Sequence, residues 1–168
     1  APMKAGMAVV PMIARLHAKE HQYLLESSGA VALVYGEDYR EHVGAIKDSL
    51  PSMRHYVCLG DGAGGDVGYE ALLASASGEA PEVSIVLGDL AWVFFTSGTT
   101  GRPKGAMLSH RNLLAMTQAF LTDINPAVST DVLLHAAPIT HGSGLSMFHH
   151  IARGAANAFP DTLRFDPP

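Results

Sequence analysis

The sequence predicts an α/β fold, an open, mostly parallel sheet flanked by helices, and three observations lead there. Apolar runs of strand length recur at 30–35, 54–59, 90–95 and 131–137. Segments with helical spacing lie between them; Tyr39, Val43, Ile46 and Leu50 share one helical face. Strand and helix alternate at short intervals, the pattern of parallel strands joined by crossover helices. With 168 residues, 48% of them hydrophobic, the chain can bury one real core. Only 7% are aromatic, so that core leans on Ala, Val, Leu and Met.

Taken in order, 7–12 reads as a strand buried on both faces. A helix is predicted over 18–28, with Leu24 and Leu25 inward and Gly29 as its stop. His21 on this helix reads as a core or boundary histidine. A strand over 30–35 leads into a helix over 37–50, which Pro51 ends, and the next strand spans 54–59. The glycine-rich run 61–68 lacks the G-x-G-x-x-G spacing and carries two aspartates that would repel pyrophosphate. It reads as a solvated connection. A short helix at 69–76 and a polar link at 77–84 follow.

The run 90–95 is the next buried strand, and 106–108 can return as a short one. Ser109 is a good N-cap for a helix over 110–121, whose apolar stripe includes Leu113, Leu114, Thr117, Phe120 and Leu121. A strand over 131–137 ends at Pro138, and 155–159 reads as the last strand. His149 and His150 fall inside a helical pattern between them. They lack spacing such as H-E-x-x-H, so no zinc site is expected from the four histidines between 135 and 150.

The net charge is −5 and the 11 basic residues form no cluster, which argues against a nucleic-acid or anionic-membrane surface. No stretch is long and apolar enough to span a membrane, since the run 6–14 is short and broken by Pro11. The lone Cys58 has no disulfide partner and reads as a buried strand residue, consistent with a cytoplasmic location.

Chemistry concentrates where the 90–95 strand gives way to Thr96-Ser97-Gly98-Thr99-Thr100-Gly101-Arg102-Pro103-Lys104-Gly105. Gly98, Gly101 and Gly105 permit positive φ or close approach of a ligand to the backbone. Thr96, Ser97, Thr99 and Thr100 bring hydroxyl donors, and Lys104 brings a point charge with three more. Backbone N–H groups, hydroxyls and a lysine together suit a polyphosphate. One ion pair at contact distance is worth up to about 4 kcal/mol at an effective dielectric near 20. The Walker-A pattern does not fit, because Pro103 precedes the lysine and Gly105 follows it.

The string from Phe95 to Gly105, with Asp89-Leu90-Ala91 before it and Ala106 to Leu113 after it, resembles the signature of the adenylate-forming superfamily. That group includes acyl-CoA synthetases, luciferases and the adenylation domains of peptide synthetases. From Lys4 to about Phe159 the chain resembles the acyl-CoA synthetase branch. The resemblance implies an ATP-dependent carboxylate–CoA ligase that forms an acyl-adenylate and then an acyl-CoA. It implies a carboxylic acid, ATP and coenzyme A as substrates, with Mg2+ on the phosphates. Thr96, Ser97, Gly98, Thr99, Thr100, Gly101 and Lys104 would bind ATP.

A second constellation follows the 131–137 strand: Thr140-His141-Gly142-Ser143-Gly144. Ligands bind beyond the carboxyl ends of strands in α/β sheets. The superfamily has a similar histidine- or aromatic-containing loop at its carboxylate and acyl pocket. The resemblance therefore places His141 near the reacting carboxylate, with Gly142, Ser143 and Gly144 leaving room for the acyl chain. Lys104 and His141 are the expected catalytic residues, and no metal ligand is assigned.

Superfamily members are several times longer. The expectation is a partial N-terminal domain over residues 1–168, inactive in isolation, without the adenine, ribose, magnesium and C-terminal lysine sites. Sheet edges left uncovered in such a piece would favour self-association. The alternative is a non-catalytic nucleotide-binding module that keeps only the phosphate loop.

Overall fold

The computed structural model describes residues 2–96 and 101–160. Backbone contacts divide the chain into two compact units, one spanning Ala14–Glu82 and the other combining Ala1–Ile13 with Val83–Pro168.

The 14–82 unit begins with α1 (Ala18–Ser28). Its ends are closed by local chemistry. His17 Nδ1 accepts from the Lys19 N–H at 3.3 Å, and the Glu20 carboxylate accepts from the His17 N–H at 2.8 Å. At the other end Gly29 takes φ 65°, the left-handed conformation that a Cβ would strain. Leu24 and Leu25 are buried as predicted. His21 is buried as well, its Nδ1 2.8 Å from His42 Nε2 on α2 (Arg40–Lys47).

The predicted 37–50 helix is shorter than its apolar spacing indicates. A 3₁₀ turn occupies Glu37–Tyr39, α2 follows, and two single turns carry the chain to Leu50. Pro51 disfavours the helical conformation at the residue before it, which explains the early end. Val43, Ile46 and Leu50 are nevertheless all buried. Each such side chain contributes about 1.5–3 kcal/mol.

Strands β1 (Ala32–Tyr35), β2 (His55–Cys58) and β3 (Val67–Gly68) pair in that order, all parallel, with Ala32 opposite His55 and Val57 opposite Val67. Cys58 is fully buried, in keeping with a structural role. The run 61–68 is more than a solvated link: its end supplies β3 and leads into α3 (Tyr69–Ser75). The chain doubles back so tightly that a Cβ on Gly62 would lie 2.6 Å from the Gly68 nitrogen.

In the other unit β4 (Leu90–Thr96) and β5 (Lys104–Ser109) form an antiparallel hairpin. The expected 7–12 strand is reduced to one parallel bridge between Val9 and Trp92, and Met7 is half exposed. Pro11 has no N–H with which to extend the ladder. Ser109 caps α4 (His110–Ala119) through a reciprocal pair with Asn112. The helix runs on into a π-helical turn at Phe120–Ile124. Leu113 faces inward, whereas Leu114, expected on the same stripe, is 57% exposed. Ala91, Trp92 and Leu113 form a core against which Phe94, Leu108, Leu145 and Phe148 pack. Trp92 meets Phe148 edge to face at 5.7 Å.

The chain continues through β6 (Val132–Leu134), α5 (Gly142–Leu145), α6 (Met147–Ala152) and β7 (Ala156–Ala158). β6 and β7 are parallel, with Val132 opposite Ala156. The predicted 131–137 strand is short and covered on one face only: Val132 and Leu134 are exposed. The α/β class and the parallel pairing are as expected, with the described strands distributed over three sheets. Among the described residues no helix is long and apolar enough to cross a membrane.

Candidate functional site

The β4–β5 hairpin sets the ends of the phosphate loop. Thr96, the last residue of β4, pairs with Lys104, the first of β5, and the Thr96 hydroxyl donates to the Lys104 carbonyl in a long 3.5 Å bond. The two loop ends are thus held one strand spacing apart, with both side chains exposed. Gly101 takes φ 90°, so the loop needs a glycine there. Ser97, Gly98, Thr99 and Thr100 lie outside the described residues. Gly105 has a different task from the one its sequence context implied. Its φ is not positive, and a Cβ there would stand 2.8 Å from Val93 Cγ1 and 3.3 Å from the Phe95 ring. It is a packing glycine inside the hairpin.

The 138–144 turn is built from below. The His141 N–H donates to the Pro138 carbonyl, and Gly144 N–H donates to the His141 carbonyl. A Cβ on Gly144 would fall 1.9 Å from the Ile139 carbonyl oxygen. The space that Gly144 leaves is therefore filled by backbone. His141 and Gly142 are exposed, while Ser143 is half-buried. Lys104 and His141 belong to the same compact unit, yet no hydrogen bond or ion pair among the described residues joins them.

Sequence reasoning passed over His135, counting it only as one of four histidines without metal spacing. The structure buries it just past β6, stacked on Phe159 at 4.8 Å. His135 Nδ1 lies 2.9 Å from the Ser143 hydroxyl, and Nε2 lies 2.8 Å from Asn157 Oδ1, an atom that can only accept. A histidine directly after an apolar strand run was the available signal. Its partners lie eight and 22 residues away.

His149 and His150 are also buried, and no three His, Cys, Asp or Glu residues among those described converge as metal ligands. His149 stacks on Phe120 at 4.8 Å with neither ring nitrogen hydrogen-bonded. Burial, with His150 beside it, lowers its pKa from the ordinary 6.5.

The sequence profile of AMP-binding enzymes matches residues 1–168. The chain belongs to this family. It is 34% identical over 144 residues to a feruloyl-CoA synthase from Amycolatopsis, covering 86% of this chain and 26% of that protein. Its fold matches ATP-bound MatB from Rhodopseudomonas palustris with TM-score 0.78 and 28% identity, over 99% of this chain and 32% of the other. It also matches the N-terminal domain of FACL13 from Mycobacterium tuberculosis, with TM-score 0.80 and 26% identity over 97% and 39% of the two chains. This AMP-binding chain therefore spans about a quarter of the length of the curated relative and 32–39% of these structures.

Proposed function

We propose that the chain supplies the phosphate grip and part of the acid pocket of an ATP-dependent carboxylate–CoA ligase. The observation that carries this reading is Lys104 held opposite Thr96 at the mouth of the glycine- and hydroxyl-rich loop. The feruloyl-CoA synthase and ATP-bound MatB similarities support it. In this mechanism the acid's carboxylate attacks the α-phosphorus of ATP. Pyrophosphate leaves, and the thiol of coenzyme A then displaces AMP from the acyl-adenylate.

Charge builds on the departing pyrophosphate, so fixed donors and a cation at the β- and γ-phosphates favour the step. Lys104 provides the cation, while Thr96, Ser97, Thr99 and Thr100 provide hydroxyls around backbone made approachable by Gly98 and Gly101. His141, with Gly142 and Ser143, lies beside the acid. The described residues offer no carboxylate cluster suited to Mg2+. The ion would arrive on the triphosphate. Working as a part of a longer ligase, the chain would be inactive alone, would reside in the cytoplasm, and would self-associate through its sheet edges when isolated.

The test is acid-dependent exchange of pyrophosphate into ATP by the full-length protein that carries this chain. Lys104→Ala should raise the KM for ATP by about tenfold, the worth of one charged hydrogen bond of roughly 1.5 kcal/mol, with the KM for the acid little changed. Unchanged ATP kinetics would place the grip elsewhere. Nucleotide binding without any acid-dependent exchange would favour the non-catalytic module.

A further inference from the structure

We infer that His135 is a positioning residue for the acid-binding turn, resting this on the ligase reading above. Its imidazole spans two elements. Nδ1 takes the Ser143 hydroxyl at the start of α5, and Nε2–H reaches Asn157 on β7, the strand paired with β6.

Each bond fixes something different. The Asn157 bond and the parallel stack on Phe159, with 9° between the rings, hold the imidazole against the β6–β7 ladder. The Ser143 bond then holds the turn to the imidazole. His141 and Gly142 immediately precede Ser143, and the close approach of Gly144 to the Ile139 carbonyl leaves the turn little room to relax. A displacement of Ser143 is therefore passed to His141.

The donor pattern also restricts what Ser143 can do. With Asn157 Oδ1 accepting, neutral His135 carries its proton on Nε2, and Nδ1 must accept. The hydroxyl hydrogen of Ser143 is thereby committed to the protein. Ser143 can present only an acceptor to a ligand, and it serves the acid chiefly by holding His141 in place. A buried imidazole whose two nitrogens are both used, one of them on the turn itself, is a device for registering that turn against the sheet.

The experiment measures acid-dependent ATP–pyrophosphate exchange by the full-length protein, using whichever of ferulate, benzoate and octanoate is turned over fastest. Ser143→Ala and His135→Phe are compared singly and together; phenylalanine preserves a stack on Phe159. Each single variant should raise the KM for the acid by about tenfold, the upper range for one lost hydrogen bond. The double variant should lose no more than either single one, because both remove the same link. The KM for ATP should stay within about twofold. Acid and ATP constants that rise together, losses that add in the double variant, or an unchanged acid KM would overturn the inference. If His135→Phe fails to fold, Ser143→Ala alone decides by the same acid-against-ATP comparison. A wild-type protein inactive with all three acids would instead overturn the ligase reading, and this inference with it.

Discussion

Both units of the molecule bury polar groups, and the contrast is sharpest between Asp66 in one and His149 in the other. In the 14–82 unit Asp66 is buried against Lys47 in an ion pair and accepts the Tyr35 hydroxyl, and Lys47 also lies 4.6 Å from the centre of the Tyr56 ring. Burial acts to raise the Asp66 pKa, but the bonds from Lys47 and Tyr35 outweigh it and hold it below the ordinary 3.8. Tyr35 moves the other way, pushed up first by burial and then by Asp66. In the other unit His149 is buried with both nitrogens unpartnered, and His150 leaves Nδ1 so. A paired buried charge makes a unit dependent on its partners. An unpaired buried imidazole makes a unit dependent on pH.

The largest break in that contrast is Asp66→Ala. Removing one member of a buried pair strands the other, and the expected loss is about 3 kcal/mol, at the low end because Lys47 keeps some solvent exposure. Hydrogen exchange resolved by residue should show the loss in α2, β1 and β2. Full protection there would mean that the pair contributes nothing to the unit.

Acidification sharpens the comparison without mutation. A histidine with a depressed folded pKa leaves the unfolded chain holding more protons below 6.5, so stability falls as pH drops from there. A depressed carboxylate contributes stability above 3.8 that is lost only as pH falls through its lower folded value. Amides of α4 and α6 should therefore begin to lose protection as pH falls below 6.5, well before those of β1 and β2. His149→Leu should remove this early phase and stabilise α6 by about 1–2 kcal/mol, by deleting an unsatisfied buried group. Simultaneous loss of protection in both units would erase the distinction.

The smallest effects belong to helix ends, where the units are alike. Ser109→Ala in one and Gly29→Ala in the other should each cost about 1 kcal/mol, read as a shift in denaturation midpoint at constant slope. A much larger cost at either would indicate a tertiary role beyond capping.

These ends were legible because a cap is a contract between residues three or four apart. The strand that leads to Thr96 was legible too, since 90–95 is one contiguous apolar run. Local pattern was less informative about other strands. It made 7–12 a strand buried on both faces and 131–137 another strand, although Pro11 stops one ladder and the other is short, with Val132 and Leu134 uncovered. It also counted Leu114 with Leu113, where only the latter meets Trp92. Gly105 and Gly144 looked like ligand glycines, and the atoms that crowd them belong to Val93 and Ile139.

By itself, then, the sequence determined the α/β order of elements, the helix caps at Gly29 and Ser109, and the chemical character of the loop ending in Lys104. Each depends on interactions within a turn or a strand length of chain. Tertiary structure alone decided which polar groups meet: Asp66 with Lys47 and Tyr35, and His135 with Ser143 and Asn157. Such partners lie up to 31 residues apart, and their pairing follows from strand register and chain return rather than from periodicity.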